Sequence, residues 1–308
     1  MGVKFGYITD VHKNLGTAQS LWNPVGPFDA QYRQYSTADA RLQEFASDME
    51  VAGAGFCVQG GDLTDANTNS RYSDLSDAIC ITDTYYSSDF WHTVGNHEGL
   101  VVWLNDISDM WTQLDTAANA GIRENEWNPA SDITGPLAYT FDKNGIRFVV
   151  LYADGGILDS PAGAGERNWL TSKALNTDKP VVIFTHALLR PVDYSYAVVD
   201  DYIAVNSDLV AAGNVQLVIQ GHFHRNQIED FTDHWETHSD IIYFYGRGSI
   251  LGAEDGDSGD TATTADSAYY LFDVIPNAYI GDNQMRANVT VTAFRKGKNK
   301  PQDTFALI

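Results

Sequence analysis

Residues 218–226 read VIQGHFHRN. An apolar run ends in a glycine, and two histidines follow it one residue apart. Histidine is scarce in this chain, 8 in 308 residues, and neither a hairpin nor an apolar core has a use for two imidazoles at the end of a buried strand. The same punctuation recurs along the chain. VKFGYIT (3–9) ends in Asp10-Val11-His12, GFCVQG (55–60) in Gly61-Asp62, FWHTV (90–94) in Gly95-Asn96-His97-Glu98, and VVIFT (181–185) in His186. Open α/β sheets bind ligands at the carboxyl ends of their strands, so these five segments can converge on one crevice.

Helical patterns separate the strands. Ser36 or Thr37 can cap a helix over 36–52, with Leu42, Phe45, Met49 and Ala52 as its apolar stripe. Further helices are expected at 68–82, 100–114, 165–175 and 199–212. LAYTFDKNGIRFVVLYA (137–153) reads as a hairpin turning on Lys143-Asn144-Gly145. IIYFYGRGS, SAYYLFDVI and NVTVTAFR follow as expected successive antiparallel strands. Alternation first and strands last point to an α/β fold of two packed mixed β-sheets flanked by helices. A single domain over 1–308 is expected, with a motif-bearing core over 1–250 and a β-rich part over 241–308 completing the second sheet.

Composition bounds the function. With 44% apolar and 12% aromatic residues the chain can bury a sizeable core. A net charge of −22, mostly from Asp, repels polymeric nucleic acid and anionic membranes at long range. Such a surface suits high salt, where screening removes much of the self-repulsion. No run reaches the ~18 apolar residues of a membrane span, and compartment and oligomeric state stay open. Cys57 and Cys80 are expected as buried free thiols. EDGDSGDTATTAD (254–266) is expected as a solvated acidic loop, its spacing unlike that of an EF-hand.

Carboxylates, imidazoles and a carboxamide oxygen suit borderline divalent ions such as Mn, Fe, Co, Ni or Zn. In D-x-H and H-x-H the two ligands stand one residue apart, so an irregular turn after the strand can aim both inward. The glycines at 61, 95 and 221 let the backbone turn sharply there. His222 and His224 are thus placed to serve two ions, one each.

D-x-H (10–12), G-D-x-x-D (61–65), G-N-H-E (95–98), a lone His after a strand (186) and G-H-x-H (221–224) occur in this order. Together they resemble the calcineurin-like metallophosphoesterases, whose fold is a four-layer sandwich of two sheets flanked by helices. The resemblance implies one metal held by Asp10, His12, Asp62 and His224, and a second held by Asp62, Asn96, His186 and His222. Asp62 then bridges the pair, and His97 stays off the metals beside the leaving group. Asp65 stands where the purple acid phosphatase branch carries a metal-bound Tyr, which argues against a purple iron enzyme.

Two ions ~3.5–4 Å apart can share a hydroxide and clamp phosphoryl oxygens on either side. A catalytic role for His97 as proton donor to the leaving oxygen would be worth ~10²–10⁴-fold in rate. Two dications less the charges of Asp10, Asp62 and a shared hydroxide leave the centre positive by about one unit. An anionic phosphate is therefore attracted at contact although the overall field repels it.

Substrate choice must come from outside the motifs. The loop 13–34 carries Trp22, Phe28, Tyr32 and Arg33, which either wall the site and stack on a base or sugar, or anchor a long loop. Y-R-x-Y (32–35) resembles the ADP-ribose and CDP-alcohol diphosphatase branch; the class III cyclic nucleotide phosphodiesterases are the neighbouring possibility. Arg190 either meets a second phosphate or forms a surface salt bridge, while Asn96 and His97 also face substrate. His92, inside FWHTV, reads as a packed core residue. His234 and His238 share a helical i, i+4 spacing and are assigned to a surface. The expected function is a dimetal phosphohydrolase acting on a phosphodiester or nucleotide diphosphate. The alternatives are a phosphomonoesterase and a non-catalytic scaffold of the same fold.

Overall fold

Phe5 stands where the two sheets meet. Its ring stacks between Phe56 and Phe272 of its own sheet, at 5.1 and 5.0 Å. From the opposite sheet Phe148 and Phe184 present their edges to it, at 5.7 and 5.5 Å. Each such pair adds ~0.5–1.5 kcal/mol beyond area burial, so this aromatic cluster does much to fix how the sheets face each other.

The computed structural model describes residues 2–13, 38–64, 71–99, 111–118, 120–128, 135–152, 164–190, 202–222, 235–246, 268–276, 287–295 and 303–307. His224, Trp22, Phe28, Tyr32, Arg33, Asp65, His234 and the stretch 254–266 lie outside these residues. The elements run β1 (Val3–Ile8), α1 (Ala38–Ala52), β2 (Phe56–Gln59), α2 (Arg71–Tyr85), β3 (Phe90–His92), α3 (Asn96–Gly99), a helical segment α4 (111–116), β4 (Glu124–Trp127), β5 (Ala138–Lys143) and β6 (Ile146–Leu151). They continue with α5 (Ala164–Trp169), which passes into a π-helical turn (Leu170–Ala174), then β7 (Val181–Thr185), α6 (Tyr202–Ala212), β8 (Val215–Gln220), β9 (Trp235–His238), β10 (Ile241–Tyr245), β11 (Ala268–Pro276), β12 (Ala287–Arg295) and β13 (Asp303–Leu307).

One sheet has the order β13-β12-β11-β1-β2-β3, the other β4-β5-β6-β7-β8-β10-β9. Strands β1, β2 and β3 pair in parallel, as do β6, β7, β8 and β10. The remaining strands, β11, β12 and β13 in the first sheet and β4, β5 and β9 in the second, pair antiparallel. One core lies between the sheets; a second, with Trp169, Leu170, Val205 and Leu209, covers the outer face of the second sheet. Helix α1 buries Leu42, Phe45 and Met49 of the expected stripe and Ala46 in addition, whereas Ala52 at its end is only half-buried. This is the α/β sandwich of two mixed sheets flanked by helices. Both parallel blocks bring their carboxyl ends to the same edge of the molecule. Among the described residues no helix is long and apolar enough to cross a membrane.

Several local expectations are corrected. IIYFY does not pair with SAYYLFDVI: β10 lies parallel to β8 in the second sheet, while β11, β12 and β13 extend the first. The C-terminal third is thus divided between the sheets. Within HWETH, Trp235–His238 is an edge strand against β10, so His238 does not lie on a helix. ENEW (β4) and DTFAL (β13) are strands that apolar patterning missed. Cys57 is buried and free as expected, whereas Cys80 is free but exposed on α2. The turn at Asn144-Gly145 has φ of 52° and 80°, both left-handed as a two-residue hairpin requires, and His92 is buried within β3.

Candidate metal centre

The chain breaks sharply at each strand end. Asp10, His12, Asp62 and His222 all take positive φ, at 53°, 44°, 54° and 63°. Left-handed backbone at a non-glycine residue costs ~1–2 kcal/mol, and its concentration at four candidate ligands marks a built site. The loops after β1 and β2 continue side by side beyond the strands: the N–H groups of Asp10, His12 and Lys13 donate to the carbonyls of Gly61, Asp62 and Leu63 at 3.0, 2.8 and 2.8 Å. This pairing holds Asp10, His12 and Asp62 together.

Two glycines admit the close approaches. A Cβ on Gly95 would lie 2.2 Å from Asp62 Oδ1 and 2.3 Å from its main-chain N. Gly61 has φ of +99°, and a Cβ there would sit 2.3 Å from His186 Nδ1. No side chain fits at either place.

Each carboxylate has one oxygen held by protein donors and the other turned to imidazoles. Asp10 Oδ2 accepts the Thr9 hydroxyl at 2.7 Å and the His222 N–H at 3.1 Å. Its Oδ1 lies 3.9 Å from His12 Nε2. Asp62 Oδ1 accepts the His97 N–H at 2.9 Å. Asp62 Oδ2 lies 3.2, 3.6 and 3.8 Å from Nε2 of His186, His12 and His97. It is fully buried, yet no hydrogen bond reaches it.

The tautomer of His186 sharpens this. Its Nδ1 stands 2.9 Å from the Gly60 carbonyl, which can only accept, so Nδ1 carries a proton and Nε2 is the nitrogen turned into the site. Facing Nε2 are Asn96 Oδ1 at 3.1 Å, His222 Nδ1 at 3.1 Å and Asp62 Oδ2 at 3.2 Å. A proton on Nε2 makes one good hydrogen bond among these three neighbours, whereas a cation is shared by all of them. The donor set and the orphaned Asp62 Oδ2 therefore fit a metal ion, and an imidazole held by its other nitrogen on a carbonyl is the usual arrangement of a metal-binding histidine.

The electrostatics agree. Burial alone would raise the Asp62 carboxyl, but His186, His97 and His12 outweigh it and hold it well below the usual carboxylate range. Burial lowers His186, and Asp62 and then Asp10 more than reverse this, pushing it up to about 10. The pocket thus draws positive charge to itself. Two ligand-like groups share Asp62: His12, Asp62 and His97 on one side, and Asp62, His186 and His222 on the other, with the ligand atoms of each group within 4.8 Å of one another.

Of the residues read from sequence, Asp10, His12, Asp62, Asn96, His97, His186 and His222 come together. His97 comes closer than expected: its ring lies edge-on to His12 at 4.6 Å, and its side chain is 16% exposed. Arg190 is half-buried, with its guanidinium 5.9 Å from the ring centre of Tyr243. Thr9 and Gln220 were missed. Thr9 fixes Asp10, and Gln220 Oε1 accepts the N–H groups of Leu189 and Arg190 at 2.7 and 3.2 Å, shaping the chain that leaves His186. The available signal was a polar residue at the last or next position of an otherwise apolar strand. Glu98 is buried; burial and the neighbouring Asp62 push its carboxyl up to about 7.

The model of the family described as calcineurin-like phosphoesterase matches residues 3–226. Among solved structures, a dimetal phosphatase from Danio rerio is similar at 16% identity and a TM-score of 0.60, over 99% of this chain and 98% of its own. Purple acid phosphatase PPD1 from yellow lupin seeds is similar at 12% identity and a TM-score of 0.56, over 99% of this chain and 53% of its own. No curated protein matches the sequence. With its strand-end donors gathered on a shared aspartate and the family match running from β1 past His222, the chain belongs to the calcineurin-like phosphoesterases.

Proposed function

We propose that the chain is a dimetal phosphohydrolase that prefers a phosphodiester or nucleotide diphosphate. The observation that carries this reading is Asp62 Oδ2, buried, without a hydrogen bond and faced by imidazoles from two sides. Asp10, His12, Asp62 and His224 would hold one ion; Asp62, Asn96, His186 and His222 the other. When bound, such a pair supplies Lewis acidity toward the phosphoryl oxygens and a water acidic enough to attack near neutral pH.

The chain's own residues do the rest. Asp62 would offer Oδ2 as its oxygen for the ions, because the His97 N–H holds Oδ1. Thr9 and the His222 N–H do the same for Asp10. The His97 ring, partly exposed beside the site, delivers a proton to the departing oxygen. Asn96 orients the phosphate, and Arg190, four residues past His186, supplies charge at the rim for a second phosphate. Trp22, Tyr32 and Arg33 would shelter the organic leaving group.

Turnover of bis-p-nitrophenyl phosphate against p-nitrophenyl phosphate, with Mn added, tests the preference. Faster hydrolysis of the diester is expected. Faster hydrolysis of the monoester would make the chain a phosphomonoesterase, and hydrolysis of neither by the Mn-loaded protein would make it a scaffold.

A further inference from the structure

Glu98 occupies the third position of α3 with its carboxylate turned inward, 8% exposed. Its Oε2 accepts the main-chain N–H of Asp62 and that of Gly95, each at 2.9 Å. Its Oε1 accepts the N–H of Thr64 at 2.8 Å, with the Thr64 hydroxyl at 3.4 Å. One side chain therefore ties the loop after β2 to the turn after β3, from a helix that carries Asn96 and His97. These segments are far apart in sequence, and their parallel strands end before the site begins.

The choice of a carboxylate is informative. Placing it next to the Asp62 carboxylate sets like charges together in a buried place, which is unfavourable unless the group is fully hydrogen-bonded. Only an ionised carboxylate offers acceptors on both oxygens to donors from two loops. A glutamine of the same shape would turn an NH₂ toward N–H donors on one side or the other. An aspartate is one methylene too short to span both loops.

We propose that Glu98 is a positioning residue: it holds Asp62, Asn96 and His97 in register before any cation arrives and so sets the affinity of the metal centre. This rests on the reading of the centre as a metal site. The Asp62 N–H is held by Glu98 and the Asp62 Oδ1 by the His97 N–H, so main chain and side chain of the shared ligand are both anchored through α3.

The test is Mn²⁺ titration by calorimetry on the full chain and on Glu98→Gln, with thermal unfolding in EDTA and bis-p-nitrophenyl phosphate hydrolysis at rising Mn²⁺. Glu98→Gln is expected to bind Mn²⁺ ~10–100-fold more weakly, the usual effect of removing a group that orients a ligand. Its kcat should recover toward the wild-type value as Mn²⁺ is raised. Wild-type Mn²⁺ affinity in Glu98→Gln, with or without a lower Tm, would overturn the proposal, because a purely structural role lowers Tm alone. If Glu98→Gln does not fold, Glu98→Asp gives the same comparison, with weaker binding expected and unchanged binding contradicting. Wild-type protein that takes up no Mn²⁺ would instead overturn the metal reading itself, and that result is seen before any variant is made.

Discussion

His186 Nε2 and His222 Nδ1 lie 3.1 Å apart, and the Gly60 carbonyl at His186 Nδ1 leaves Nε2 as the nitrogen that faces the site. Two ring nitrogens from strands β7 and β8 thus meet beside the buried oxygen of Asp62, which comes from the other sheet. Replacing His186 with Asn keeps a neutral polar side chain but withdraws a ligand and the Gly60 contact. A loss of one bound metal per chain and a fall in kcat/KM of ~10²-fold or more are expected, by analogy with ligand-shell losses in metalloenzymes. Metal analysis of the purified variant checks it.

His97 separates two roles. As proton donor its loss lowers kcat by ~10²–10⁴-fold and leaves the metal content unchanged. Its main-chain N–H, which anchors Asp62, survives in His97→Ala. A variant that instead loses a metal ion would make His97 a ligand, as its 3.8 Å approach to Asp62 Oδ2 allows.

Gly95 touches Asp62 so closely that Gly95→Ala must push the shared ligand aside. A destabilisation of ~1–3 kcal/mol, the range for overpacking, is expected in urea unfolding, together with weaker Mn²⁺ binding. Unchanged stability and binding would contradict the packing described for this turn.

The strand-end donors were legible because each is a polar exception at a fixed place, the exit of an apolar run, and the resemblance then ordered them. Pairing partners were not legible. IIYFY and SAYYLFDVI are similar apolar runs, and nothing local records that one joins β8 and the other β1. ENEW forms an edge strand with little buried surface, so its pattern carried no alternation to read. The approach of His97 to His12 depends on the left-handed turns at His12 and Asp62, which follow from tertiary pairing and not from residue type. Glu98 reads from sequence as orienting a neighbour rather than binding metal, but which main-chain donors it holds leaves no mark in a sequence.

His92 provides a pH signature away from the donors. Burial, and then Arg123, lower it from 6.5 to about 3. A histidine with a depressed folded-state pKa binds its proton only on unfolding. Its contribution to stability is present above pH ~6.5 and is lost as pH falls toward ~3, at up to ~1.4 kcal/mol per pH unit. Unfolding in EDTA should therefore steepen between these limits for the wild type relative to His92→Phe. Parallel curves would contradict the buried neutral ring.

The charge of −22 predicts opposite salt effects from those of a surface-steered enzyme. Screening relieves self-repulsion, so Tm should rise with moderate NaCl. Capture of a multiply charged anion should not slow, and a steep fall of kcat/KM with salt would count against a locally positive centre in a repelling field.

The most direct measurement is the stoichiometry and magnetic coupling of bound Mn²⁺, by metal analysis and low-temperature EPR, in the wild type and in Asp62→Asn. One oxygen serving both ions requires two Mn²⁺ per wild-type chain, an exchange-coupled spectrum, and loss of that coupling in Asp62→Asn. Two uncoupled ions, or a single ion per chain at saturation, would contradict a shared Asp62.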